Sequence, residues 1–212
     1  MDSPDAAADP GREPRRMTRG PAILVLAAGE STRFAQAGGE PANKLEALIT
    51  VRGQTRTVLA QVVAAATATG LPVHVVQPSS VAGWLPPGMG SSIAAGVQAT
   101  ADAPGWLVLP GDLPLIETAS ITAVAQALQA HAAVVPVVGG TRGHPVGFGA
   151  ACREALLALR GDTGAREVLA QVGAHALPLE DPGCVLDVDT PQRLDEARRR
   201  AGVRTDGRSG PR

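Results

Sequence analysis

The stretch Ala22–Thr32, AILVLAAGEST, runs from unbroken apolar residues into a small polar turn. Apolar side chains at every position, not at alternate ones, mark a strand buried on both faces, as in parallel sheets covered by helices. The chain beyond it keeps the same rhythm. RTVLAQVVAAATATG (Arg56–Gly70) reads as a helix with Gly70 suited to a left-handed cap, and PVHVVQP (Pro72–Pro78) as the next strand. GSSIAAGVQATA (Gly90–Ala101) reads as a short helix and GWLVLPGD (Gly105–Asp112) as a strand ending in a polar turn. ETASITAVAQALQAHA (Glu117–Ala132) and AAVVPVV (Ala132–Val138) add a helix and a strand, and no internal repeat is present. This alternation predicts an α/β fold: a single Rossmann-like three-layer domain with a mostly parallel sheet and helices on both faces. Ligands of such sheets bind at the C-terminal strand ends, where the opening turn lies.

Composition narrows the function classes. A formal net charge of −1 over 212 residues carries no general footprint for nucleic acid, so an anionic partner should be small. Aromatic residues make up 2% and tyrosine is absent, which removes a base-stacking platform. Cys152 and Cys184 lack the spacing of a zinc or redox pair and read as buried thiols. No apolar run reaches the roughly 20 residues that span a bilayer, and a strand, not a removable apolar region, follows the Arg15-Arg16 pair, so the cytoplasm is the expected location. Residues 1–20 read as a disordered leader with Met17 as an alternative start, 21–200 as the folded domain and 201–212 as a polar tail.

The opening turn matches neither the GxGxxG fingerprint nor a Walker A loop. It offers Gly29, the hydroxyls of Ser31 and Thr32, then Arg33 and, further on, Lys44. Backbone amides freed by glycine, a forked guanidinium and a compact ammonium suit a nucleoside triphosphate, although a plain turn with solvated basic side chains has the same residues. Asp112 follows a buried strand, where a carboxylate can hold Mg²⁺ or simply form a turn. In VLDVDTPQRLDEA (Val185–Ala197), Asp187 and Asp189 share one face of an expected short strand, before Pro191 opens a helix. Helix capping is the alternative role for Asp189.

LAAGESTRF (Leu26–Phe34) with Lys44, PGDLPL (Pro110–Leu115) and DVDTPQRL (Asp187–Leu194) together resemble the nucleotidyltransferase superfamily that includes the molybdenum cofactor cytidylyltransferases and guanylyltransferases. GMGSSIAAGV (Gly88–Val97), RGHPVGF (Arg142–Phe148) and GDTGAR (Gly161–Arg166) are similar to the cytidylyltransferase branch acting on molybdopterin. The resemblance implies a nucleotide-diphospho-sugar transferase-like fold and transfer of CMP from CTP to the molybdopterin phosphate, with pyrophosphate released. A guanylyl donor, another phosphorylated acceptor such as a sugar phosphate, and a non-catalytic molybdopterin or nucleotide carrier are the alternatives.

Residue by residue, it implies that Leu26, Ala27, Ala28, Gly29, Ser31 and Arg33 wrap the nucleotide while Lys44 meets its phosphates. Arg33, Lys44 and Asp112 would be catalytic. Asp112 and Asp189 would hold Mg²⁺, with Mn²⁺ as the other hard-cation choice, and Asp187 would be structural. Gly90, Ser91 and Ser92 would lie near base and ribose; Arg142, His144, Asp162 and Arg166 would face the acceptor. A recipient molybdoenzyme would be a transient partner. Two segments depart from the pattern. FAQAGGEPAN (Phe34–Asn43) lengthens the path from Arg33 to Lys44, and SSVAGWLPP (Ser79–Pro87) is short enough to leave a sheet edge uncovered.

Overall fold

A computed structural model of the chain describes residues 20–206. The expected leader lies outside the described residues except for Gly20, and so do residues 207–212 of the expected tail. Strand β1 (Ala22–Leu26) leads through the opening turn into helix α1 (Thr32–Gln36), and strands β2 (Leu48–Val51) and β3 (Gln54–Thr57) form a separate hairpin. Helix α2 (Val58–Thr67), strand β4 (Val73–Val76), helix α3 (Met89–Ala99), strand β5 (Gly105–Pro110), helix α4 (Thr118–Ala127) and strand β6 (Ala133–Val138) follow. The chain then doubles back through β7 (Thr141–Arg142) and β8 (Val146–Gly149). Helices α5 (Arg153–Leu157) and α6 (Arg166–Val172), strand β9 (His175–Pro178) and helix α7 (Pro191–Asp206) complete it. Helix α7 continues past residue 200, so the expected boundary of the tail falls inside a helix.

The sheet runs β4-β1-β5-β8-β6-β7, with β9 also pairing β6. Strands β4, β1 and β5 are parallel to one another, as are β6 and β9, but β8 is antiparallel to both β5 and β6. That reversal follows from the tight connection at Gly139-Gly140, both at positive φ, which turns the chain straight back without a crossover helix. It also places the start of β8 at the same end of the sheet as the C-terminal ends of β1 and β5. Among the described residues strand β4 pairs only with β1 and is an edge of the sheet.

Alternate side chains of each central strand enter different cores. Ile23 and Val25 join Leu107 and Leu109 beneath α2 and α4, whereas Leu24 joins Trp106 and Val108 beneath α3 and α5. Each such aliphatic residue, fully buried, contributes about 1.5–3 kcal/mol relative to exposure. The buried Trp106 indole satisfies its N–H by donating to Thr100 Oγ1 at 3.0 Å. Thr57 caps α2 by accepting from the Ala60 amide at 3.1 Å, and the chain leaves that helix through Gly70 at φ +74°. A third core gathers Phe34, Leu45, Ile49, Leu186, Val188 and Leu194, fastening α7 and the hairpin beside the opening turn. No helix among the described residues is long and apolar enough to cross a membrane.

Candidate active site

The end of β1 is pinned on both sides. The Ala27 amide donates to Val76 O at 2.9 Å, and the Gly111 amide donates to Leu26 O at 2.9 Å. The opening turn and Asp112 therefore leave adjacent strands together. Ser31 takes a left-handed conformation at φ 53°, uncommon for a residue other than glycine. Its hydroxyl donates to Asn43 Oδ1 at 3.2 Å and accepts from the Lys44 amide at 3.3 Å. The long Phe34–Asn43 excursion, anchored by buried Phe34, thus returns Lys44 to the turn it left. Asn43 also accepts from the Leu45 amide at 3.1 Å. Sequence reasoning missed this residue, although asparagine just before a short helix is a recognisable cap.

Asp112 and Asp189 meet at Lys44. The ammonium donates to Asp112 Oδ2 and to Asp189 Oδ1, each at 2.5 Å, and Arg33 pairs with Asp189 Oδ2 at 2.9 Å. Burial opposes charge on Lys44, but the two carboxylates outweigh it and hold the ammonium above the ordinary lysine range. Asp187 and Asp189 do not lie on a paired strand: residues 186–189 belong to no strand or helix. The Val188 amide donates to Asp112 O at 2.9 Å and ties this segment to the turn after β5. Leu186 and Val188 turn inward, so Asp187 and Asp189 share the opposite face. Thr190, not Asp189, caps α7, its hydroxyl accepting from the Arg193 amide at 3.3 Å. Arg193 pairs with Asp187 at 2.8 Å and holds that carboxyl below the ordinary range despite the opposing cost of burial.

Arg33, Lys44, Asp112, Asp187 and Asp189 line an open cleft of about 800 Å³ that also takes in Leu26, Ala28, Gly29, Ser92, Arg142, His144 and Asp162. Oxygen-only donors on Asp112 and Asp189 suit a hard divalent cation, and Asp112 Oδ1 is buried with no hydrogen-bond partner. No group of three or more ligating side chains exists among the described residues. A cation held by the pair would therefore complete its shell with phosphate and water.

Four of the expected contact residues stand off the cleft wall, and a fifth acts only through its neighbours. Ala27 is buried behind it. Ser91 is fully buried, donating to Pro86 O at 2.6 Å and accepting from the Gly161 amide at 3.0 Å, so its hydroxyl ties α3 to the 160–163 loop. Gly90 serves the same contact: a Cβ there would stand 2.4 Å from Thr163 O. Arg166 opens α6 on the exposed surface, away from the cleft. Ser31 acts through Asn43 and Lys44 and does not line the cleft.

The wall bearing Arg142 and His144 is held mainly by backbone. The His144 amide donates to Cys184 O at 2.9 Å, and that turn hangs on buried Asp181, which accepts from the amides of Glu117 and Gly183, each at 2.8 Å, and from Ser120 Oγ at 2.9 Å. Asp181 was not singled out from the sequence, yet Asp-Pro-Gly is a turn signal. Burial pushes the His144 imidazole below the ordinary histidine range, against the pull of Asp112 and a bond to the Val108 backbone. Burial, with Asp181 adding to it, pushes the Cys184 thiol up to about 12. Cys152 and Cys184 are both free and buried.

The model of the MobA-like NTP transferase domain matches residues 23–177. No curated protein matches the chain. Among solved structures, Rv0371c from Mycobacterium tuberculosis H37Rv is similar at TM-score 0.67 and 22% identity, over 86% of this chain and 98% of that one. Rv0371c has also been solved in complex with manganese. A nucleotidyl transferase from Methanothermobacter is similar at TM-score 0.68 and 18% identity, over 88% and 99%. The 2-C-methyl-D-erythritol 4-phosphate cytidylyltransferase of Thermus thermophilus is similar at TM-score 0.57 and 23% identity, over 86% and 99%. At these identities the likeness is one of fold.

Proposed function

The chain belongs to the MobA-like NTP transferase family and is a nucleotidyltransferase, and we propose that it moves CMP from CTP to the terminal phosphate of molybdopterin, releasing pyrophosphate. The observation that carries this reading is the meeting of Asp112 and Asp189, from distant parts of the chain, on one cationic group beside the opening turn. In the reaction an acceptor phosphate oxygen forms a bond to the α-phosphorus as the bond from that phosphorus to the bridging oxygen of pyrophosphate breaks. No covalent enzyme intermediate is needed, so the protein's work is alignment and charge neutralisation. Leu26, Ala28 and Gly29 present the loop backbone to the nucleotide, and Arg33, its side chain 78% exposed, is free to follow the leaving pyrophosphate. Lys44 supplies the second positive charge. Asp112 and Asp189 would hold Mg²⁺ or Mn²⁺, as the manganese complex of Rv0371c suggests by likeness. Such an ion supplies Lewis-acid neutralisation of phosphate charge.

The donor assignment rests on Ala27-Ala28-Gly29, the loop that resembles the cytidylyltransferase branch, with the Ala28 methyl on the cleft wall where it would crowd a purine. Arg142, His144 and Asp162 form the acceptor side of the same cleft, and a recipient molybdoenzyme would dock transiently there. Turnover with each of the four ribonucleoside triphosphates against molybdopterin, followed by pyrophosphate release, tests both halves. CTP should be fastest; faster use of GTP overturns the donor assignment. A second reading keeps the chemistry with a sugar phosphate as acceptor. No Phe, Tyr or Trp lines the cleft, so the only aromatic ring there for a pterin to stack on is the small His144 imidazole, and the fold likeness to the Thermus cytidylyltransferase points the same way. Pyrophosphate release from CTP with sugar phosphates but not with molybdopterin selects it.

A further inference from the structure

Lys44 occupies an unexpected place. The phosphate-contacting lysine inferred from the sequence lies between the two carboxylates assigned to the metal, touching Asp112 Oδ2 and Asp189 Oδ1 at equal distances of 2.5 Å. Its side chain is only 16% exposed, and both carboxylates are also largely covered, so solvent screening is weak. We infer that Lys44 is the resident counter-ion of the free enzyme, standing in the position of the divalent cation, and that it leaves for the triphosphate when metal and nucleotide arrive together.

Charge makes the two occupants exclusive. A lysine ammonium and a divalent ion in contact with the same pair of oxygens repel each other, most strongly where water is excluded. The ammonium does not satisfy the pair fully: Asp112 Oδ1 stays buried and without a hydrogen-bond partner. The anchoring of Lys44 permits the exchange. Its backbone is tied to the opening turn through Ser31 and flanked by the Asn43 cap, so the four-carbon stem can swing its charge toward the nucleotide while its root stays in place. Metal alone must evict Lys44 with no new partner for the ammonium; metal with nucleotide offers one. Loading is therefore synergistic, and free metal binds weakly.

This inference rests on the proposed roles of Asp112 and Asp189, and the experiment separates the two. Mn²⁺ is titrated into the full chain without nucleotide, with free Mn²⁺ followed by electron paramagnetic resonance. The wild type should bind weakly, and Lys44→Met and Lys44→Gln should each bind at least about tenfold more tightly, because the competing charge is gone. Lys44→Arg, which keeps the charge, should remain weak; a merely structural lysine would give no such split between charged and uncharged replacements. Adding Asp112→Asn to Lys44→Met should abolish the gain. Equal or weaker binding by both uncharged variants, with Asp112→Asn still lowering it, overturns the exchange and leaves the carboxylate assignment standing. Tight binding indifferent to Asp112→Asn overturns both.

Discussion

The two walls of the cleft are built differently. One wall, from the opening turn through Lys44 to Asp112 and Asp189, is held by charged side chains meeting each other. The other, carrying Ser92, Arg142, His144 and Asp162, is held by backbone bonds and by buried groups behind it, with Ser91 and Asp181 as the pins. The contrast teaches where chemistry and shape reside. Charges poised for phosphate are concentrated on the first wall, while the second sets the outline of whatever enters. Substitutions on the first wall should therefore act on turnover, and those behind the second on stability.

The largest effect expected is that of Asp112→Asn, which removes charge from the first wall and changes little in packing. Turnover by pyrophosphate release at saturating metal should fall roughly a hundred- to thousandfold, equivalent to about 2.7–4 kcal/mol. Near-normal turnover would erase the contrast. Behind the second wall, Asp181→Ala strands two backbone amides and a hydroxyl. Chemical denaturation should register a loss of about 3 kcal/mol, and a loss of turnover without a loss of stability would assign Asp181 to the chemistry instead.

Ser91→Ala removes the hydroxyl's bond to Pro86 O and its bond from the Gly161 amide, which keeps a 3.2 Å bond to Pro86 O, and should cost about 1 kcal/mol of stability. The nucleotide KM should move little, since the hydroxyl faces away from the cleft; a tenfold rise would return Ser91 to the binding surface. The smallest effect concerns pH. His144 titrates below the ordinary histidine value in the folded protein, so between the two values the unfolded chain binds the extra proton. Its contribution to stability is whole above about pH 6.5 and is lost as pH falls from there toward the folded value. Melting temperatures of wild type and His144→Gln, compared at pH 7.5 and pH 5, should differ in slope, with the wild type falling more. Parallel curves would detach His144 from the buried second wall.

Much of the scaffold was legible. The unbroken apolar run of β1 and the similar run of β5 declare strands buried on both faces, because every residue in them has a core to enter. The β2–β3 hairpin was not legible: Gln54–Thr57 is polar and half solvated, and Arg52-Gly53 is an unusual turn pair. Strand β9 alternates too weakly in burial to stand out, and Asp187–Asp189 has the side-chain alternation of a strand without a partner strand. Of the candidate site residues, the charged ones lie in the cleft more often than the small ones. Gly90 and Ser91 belong to a motif whose residues are needed for close packing, and packing and binding select the same small side chains.

By itself the sequence determined the layered α/β order, the end of the sheet at which a ligand enters, and which acidic and basic residues stand near strand ends. Those features are written in patterns a few residues long, through burial period and turn chemistry. Only the tertiary structure decided that β8 runs backward to bring Arg142 and His144 to that end, and that Lys44 sits between Asp112 and Asp189. The partners in that contact are separated by 68 and 145 positions in the chain, so no local pattern encodes it. It arises because the packed core brings the ends of β1 and β5 and the 186–189 segment to one place, where opposite charges shielded from water find each other.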